Sequence, residues 1–290
     1  MSELSAPSPA VSVIVPTFDR LPLLRETIAS VLDQTYEDLE LIVVDDGSTD
    51  GTAPYVEGIA DRRVRLVALT HGGNVSRALN AGAAAARGRW LCVLGSDDVW
   101  LPTKLERQMR ETEAAGARWS YTRYELMDID GRPAPWRSGS SEAVSGWIAR
   151  PLVAEELGVT LCSVMVERPL YDEVGGFREQ FPFRQDFDLV VRIALRAPAH
   201  AVDESLVRAR EHAGRRTKVT LPAEVGLHGA AVFHAIAEEV GDAQLREIAR
   251  RKEAALLTAA GKGLLRRGEL WGAAGCMVRA LGARSRASIG

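Results

Sequence analysis

The chain is poor in several features that would classify it quickly. It holds only three cysteines, Cys92, Cys162 and Cys276, odd in number and far apart. No zinc-ligand spacing is present and no disulfide framework can be built; two of the three sit in apolar runs and read as reduced core residues. Neither sign of charge dominates, with 36 Lys and Arg against 39 Asp and Glu and a net charge of −3, so bulk nucleic-acid binding has no support. No stretch approaches the ~20 consecutive apolar residues of a membrane span. Residues 1–10 are rich in Ser, Pro and Ala but lack a basic segment followed by an apolar one. They are expected to be a disordered lead-in and not a signal peptide, and the protein is expected in the cytoplasm. Two common phosphate-binding loops are missing as well. The first apolar run is followed by Pro16-Thr17-Phe18 instead of a Gly-x-Gly-x-x-Gly turn, and no Gly-Lys-Ser/Thr of a P-loop occurs. Nor is there a convincing Ser-His-Asp or Cys-His arrangement for nucleophilic catalysis.

What is present is alternation. Val11 to Val15 is a β-branched run, and Leu21, Leu24, Ile28, Val31 and Leu32 then recur at helical spacing. Apolar runs at Leu39–Val44, 64–69 and 90–94 follow, separated by helical stretches around 52–60 and an Ala-rich one through Ala86. Strand and helix thus repeat four times in under 100 residues, which predicts a mostly parallel, doubly wound α/β sheet with right-handed crossovers. With 290 residues, the chain has ample length for such a core.

Carboxylates mark the ends of two strands, as Asp45-Asp46 and as Ser96-Asp97-Asp98. In an open α/β sheet, polar groups just past the carboxyl ends of strands face the crevice where ligands bind. Taken alone, an Asp pair there is as well explained by a turn that caps the next helix. Asp46 can accept a hydrogen bond from a base or ribose but would repel a bare diphosphate. Acidic groups at both ends of a site therefore suit a nucleotide whose phosphates are bridged by a hard divalent cation.

Val13-Ile14-Val15-Pro16-Thr17-Phe18, Asp45 to Asp50, Asn80 in its Ala-rich helix and Ser96-Asp97-Asp98 resemble, in order and spacing, glycosyltransferase family 2. The resemblance runs to about Thr217 and implies a GT-A fold with inversion at the anomeric centre. It implies that Pro16, Thr17 and Phe18 line a base pocket, that Asp46 binds the base and that Asp97 contacts the ribose side of the donor. Asp98 would ligate Mg2+ or Mn2+ bridging the diphosphate, with Ser96 in the first position of the family's D-x-D. Arg77, after the Gly-rich turn, can reach a phosphate or sugar, or is simply a solvated first-turn residue.

In the second half, Arg132–Ser141 reads as a mobile loop and Leu161–Val166 as a strand. Asp186 and Asp188 open a helix, where carboxylates complement the dipole and cap amides. By the resemblance, Asp186 is the general base and Asp188 a cap or supporting group. The stretch Arg208–Thr217 resembles a loop that folds over the donor; His212 would ligate the metal or hold the diphosphate, and Arg215 or Arg216 would neutralise the leaving group. His71, His200, His228 and His234 read as structural or surface residues. From Pro222 onward the chain reads as helices, with an excess of basic residues that suits a solvated face, a homodimer contact, or attraction to acidic lipid at the inner membrane face or to an anionic acceptor.

The expected organisation is a donor half (11–100), an acceptor and catalytic half (101–220) and a helical appendage (221–290). The expected partners are a UDP-, dTDP- or GDP-linked sugar and an unidentified hydroxyl acceptor. Two alternatives stay open: a nucleotidyltransferase on a related sheet, and a non-catalytic nucleotide-sugar-binding protein.

Overall fold

The computed structural model describes residues 8–134, 143–211 and 222–287. Four strands, β1 (Val11–Thr17), β2 (Leu39–Asp45), β3 (Val64–Ala68) and β4 (Trp90–Val93), form a parallel half-sheet ordered β3-β2-β1-β4. Helices α1 (Leu21–Leu32), α2 (Thr52–Glu57) and α3 (Val75–Ala85) make the crossovers. β1, β2 and β4 are almost wholly buried, because both faces of the sheet are covered. Alternate residues feed opposite layers: Ile14, Ile42 and Val44 pack towards α3, while Val13, Val15, Leu41 and Val43 pack with Leu24, Ile28 and Val31 of α1. Gly82 sets the closeness of α3, since a Cβ there would stand 2.4 Å from Ile14 Cγ2.

The sheet becomes mixed in its second half. β5 (Val99–Trp100), α4 (Lys104–Ala114), β6 (Trp119–Met127), α5 (Ala149–Val153), β7 (Met165–Glu167), α6 (Arg168–Glu173), α7 (Gln185–Ala194) and β8 (His200–Arg210) extend the order as β4-β7-β6-β8-β5. β7 runs antiparallel to both β4 and β6, β6 and β8 are parallel, and β5 is antiparallel to β8. The predicted strand at Leu161–Val166 is shorter than expected: Leu161–Ser163 is a 3-10 turn and only Met165–Glu167 joins the ladder. β8 has no counterpart in the sequence reading. Its charged residues mask an apolar set, Val202, Leu206, Val207 and Ala209, that is nevertheless buried. Residues 135–141 of the expected mobile loop lie outside the described residues.

Three helices complete the chain, α8 (Pro222–Glu239), α9 (Ala243–Arg266) and α10 (Leu270–Ala287). They form the helical C-terminal part expected from the sequence, and part of it packs into the main core. Val232, Phe233, Ile236 and Ala237 of α8, with Leu245 and Ala249 of α9, belong to the same core as Leu189, Val190 and Ile193 of α7. The start of α8, the end of α9 and α10 stand outside it, joined by small clusters such as Ala223, Ala260, Leu264, Ala273 and Cys276. Among the described residues, no helix is long and apolar enough to cross a membrane.

Candidate functional site

Every parallel strand of the first half ends at one crevice, where a cavity of about 540 Å3 opens. β1 delivers Pro16, Thr17, Phe18 and Arg20; β2 delivers Asp46; the turn after β3 delivers His71 and Gly73; β4 delivers Ser96 and Asp97; the start of α7 supplies Arg184, Gln185 and Asp186. This is the placement expected of ligand-binding groups in an open α/β sheet.

The loops are tied to one another before any ligand arrives. Asp19 Oδ1 accepts from Thr49 N at 2.6 Å, and Asp50 Oδ2 accepts from Leu21 N at 2.8 Å. Asp46 is buried, and its carboxylate accepts from Gly72 N at 3.1 Å and Gly73 N at 2.9 Å. His71 Nδ1 lies 3.1 Å from Asp46 Oδ2, and its ring stacks on Phe18 with centroids 4.0 Å apart. Asp46 therefore shapes the glycine turn as well as lining the cavity. His71, expected to be structural or at the surface, is part of the wall. Thr17 Oγ1 is buried with no hydrogen-bond partner, an orphaned hydroxyl in a residue that lines the cavity.

The two carboxylates after β4 part company. Asp97 lines the cavity and accepts from Arg20 Nη1 at 2.9 Å. Asp98, expected to be the metal ligand, is absent from the cavity wall and 5% exposed. Its Oδ2 accepts from the Cys162 thiol at 2.8 Å and its Oδ1 from the amide of Arg210 at 2.8 Å. Burial and the neighbouring Asp98 push the Cys162 thiol well above its ordinary range, so it stays protonated and remains a donor. Arg210, itself buried, donates through Nε to the carbonyl of Asp97 and through Nη2 to Glu26. Asp98 is thus an anchor that holds the segment from behind, and Asp97 is the group presented. Gly95 leaves this space open, because a Cβ there would lie 3.0 Å from Asp97 Oδ1 and 2.9 Å from Asp98 Oδ2.

Arg77 does not reach the cavity wall. Its guanidinium donates to the carbonyl of Thr70 at 3.2 Å and fills the space beside Gly72. Asp186 is exposed on the first turn of α7, at the cavity. Asp188 is fully buried against Arg192 Nη2 at 2.7 Å, with Arg178 at 3.4 Å. Burial raises its carboxyl above the ordinary range, and the neighbouring Arg192 and Arg178 oppose that rise. His212, Arg215 and Arg216 lie outside the described residues.

The residues that sequence reasoning missed are Arg20, His71, Phe183, Arg184 and Gln185. Position alone could have found them, since each adjoins a strand end or the start of α7. Arg184 sits at a left-handed φ of 60°, pairs with Glu155 and lays its guanidinium over Phe187 and Phe233.

Among the described residues no group of three or more His, Cys, Asp or Glu is arranged to hold a metal ion. Asp97 offers one carboxylate to the open cavity. That fits Mg2+ or Mn2+ held between a protein carboxylate and the phosphates of a ligand.

Known proteins resemble this chain in sequence and in fold. The model of glycosyl transferase family 2 matches residues 12–158, which contain every cavity residue contributed by the first four strands. An uncharacterized glycosyltransferase of Rickettsia felis is 31% identical over 214 residues, 72% of this chain and 35% of its own length. The Escherichia coli protein WfgD, a UDP-Glc:α-D-GlcNAc-diphosphoundecaprenol β-1,3-glucosyltransferase, is 34% identical over 118 residues, 41% of this chain and 47% of its own length. The matched stretch thus spans between about a third and a half of these relatives. Two solved structures have the same fold. Staphylococcus aureus TarS 1–349 in complex with UDP-GlcNAc superposes with a TM-score of 0.69 at 16% identity, covering 95% of this chain and 90% of that one. The mannosyltransferase PcManGT of Pyrobaculum calidifontis in complex with GDP-Man and Mn2+ gives 0.63 at 21% identity, covering 96% and 76%. A GT-A sheet with its loops gathered at one crevice, and a family match across the half that builds that crevice, lead to one assignment: the chain belongs to glycosyltransferase family 2.

Proposed function

We propose that the chain transfers a sugar from a nucleotide-diphospho-sugar to an acceptor hydroxyl, with inversion and in a single displacement. The observation that carries this reading is the sharing of one cavity by Asp46, Asp97 and Asp186, each delivered by a different element, with Phe18 and His71 stacked in its wall. The nucleotide lies along the strand ends, its base near Pro16, Phe18 and Asp46, where the unpartnered Thr17 hydroxyl can bond it. Its diphosphate lies towards Asp97 and Arg20.

Asp97, rather than Asp98, is the carboxylate offered to a divalent cation, since both oxygens of Asp98 already accept hydrogen bonds. When bound, Mg2+ or Mn2+ supplies positive charge to the departing diphosphate. Arg20 and Arg184 line the same cavity and add to that charge. Asp186 takes the proton of the acceptor hydroxyl as its oxygen bonds to the anomeric carbon. The bond from that carbon to the diphosphate breaks, and its electron pair leaves with the diphosphate oxygen. No enzyme nucleophile is needed.

The α-D-GlcNAc-diphosphoundecaprenol named for WfgD is the first acceptor to try. With UDP-, dTDP- and GDP-sugars as donors, released nucleoside diphosphate is the expected product. Pyrophosphate would instead indicate a nucleotidyltransferase, and neither product a binding protein. Asp186→Asn should lower kcat by about 10²–10⁴-fold with donor affinity retained. Near wild-type turnover in that variant would remove Asp186 as the base.

A further inference from the structure

α10 is built inside out. Its buried positions carry small side chains, Ala273, Cys276, Ala280 and Ala283, which seat it closely on α9. Its large apolar residues point the other way. Of the eight large hydrophobic side chains exposed among the described residues, five lie from Leu265 to Leu281. Leu270, Trp271, Val278 and Leu281 are all more than half exposed, Trp271 at 92%. At 3.6 residues per turn, Trp271, Ala274, Val278, Leu281 and Ser285 form one uncharged stripe on the side opposite the buried one. Arg279 and Arg286 border it. From Lys262 to Ala287 there are six basic residues and one acidic residue, Glu269, which is itself paired with Arg267 at 2.7 Å.

We infer that this face of α10 docks onto an anionic bilayer surface, with Trp271, Val278 and Leu281 entering the headgroup boundary and the arginines meeting lipid phosphates. An exposed apolar stripe flanked by arginine is the composition of a helix that lies in a membrane interface, with indole at headgroup depth. Charge selects this occupant over a second copy of the chain. Self-association through α10 would bring two arginine-bordered faces together, whereas an anionic leaflet attracts each cation near its surface. The placement is also useful. Phe187 of α7 packs on Phe233 of α8 with centroids 5.3 Å apart, and Lys252 of α9 joins Glu155, the partner of the cavity residue Arg184. The wall of the cavity that carries Asp186 is therefore braced against α8 and α9, and α9 in turn seats the helix that would rest on lipid. Docking goes beyond the transferase reading, because vesicles report it whatever the chemistry.

The test is co-sedimentation of the full chain with phosphatidylcholine vesicles and with vesicles that also contain phosphatidylglycerol. Binding is expected only to the anionic vesicles, weakened by added salt and reduced by about tenfold or more in Trp271→Glu/Val278→Glu. Both side chains are exposed, so the variant should keep the wild-type melting temperature and the same donor affinity. The proposal is overturned if neither vesicle binds, or if the variant binds as well as the wild type. It is equally overturned if ultracentrifugation shows a wild-type dimer that the variant converts to monomer, because a second copy then covers the face.

Discussion

Cys162 and Asp98 show how much a single donor can matter at this site. Asp98 is buried, and the Cys162 thiol donates to one of its oxygens and the Arg210 amide to the other. Cys162→Ala should therefore cost about 1–3 kcal/mol, the penalty of leaving a buried acceptor short of a partner. Cys162→Ser, which keeps a donor, should cost less; urea midpoints of the two variants give the comparison. The thiol should also resist alkylation in the native state at mildly alkaline pH and react once the chain is unfolded, because burial and Asp98 hold it protonated. At this scale the sequence was only half legible. Adjacent Asp residues after a strand announce a site, but which one faces the ligand depends on Cys162 and Arg210, 64 and 112 residues away. The same holds for His71. A lone histidine has no signature until Asp46 and Phe18 are folded against it.

At the scale of elements, two polar groups, buried Glu40 and half-buried Asn80, fix the strands and loops that carry the cavity. Glu40 on β2 accepts from Ser12 Oγ at 2.7 Å, from Arg87 N at 2.6 Å and from Arg65 Nη1 at 2.9 Å. Burial pushes its carboxyl up, but these donors together hold it below the ordinary value of 4.5. A depressed folded value means that the stabilisation is present above 4.5 and fades as pH falls through the folded value. Glu40→Gln should thus be clearly less stable than wild type at neutral pH, with the gap narrowing in urea titrations below about pH 4. Asn80 on α3 plays a similar part for the loop before α7. Its Oδ1 accepts from Phe177 N at 3.0 Å and its Nδ2 donates to Phe177 O at 2.9 Å. Asn80→Leu should loosen this loop, seen as faster amide exchange at Gly176 and Phe177 with protection of β1 and β2 unchanged. The parallel half was legible because apolar runs and helical spacing alternate without interruption from Val11 to Leu94. β8 was not, because Asp203, Glu204, Arg208 and Arg210 interrupt its apolar pattern and its place in the sheet depends on β6 and β5.

For the whole molecule, the division of the chain follows the core and not the composition. Phe233 and Ile236 of α8, beyond the boundary expected at 221, are buried in one cluster with Val190 and Ile193 of α7. A chain ending at residue 221 should lose cooperative thermal unfolding, whereas removal of residues 268–290, which carry α10, should leave a folded protein with its cavity intact. The helical character of 222–287 was readable from residue spacing, but its split between core and periphery was not, because Ala-rich faces look alike whether they meet a sheet or another helix.

The central claim is that Asp97, and not Asp98, presents its carboxylate to a metal-bridged nucleoside diphosphate in this cavity. Calorimetric titration of UDP, dTDP and GDP, each with and without Mn2+, into wild type and Asp97→Asn tests it most directly. At least one nucleotide should bind the wild type in a Mn2+-dependent manner, and Asp97→Asn, with an unchanged melting temperature, should lose that dependence. Undiminished metal-dependent binding by Asp97→Asn, or no binding of any of the three to the wild type, would contradict it.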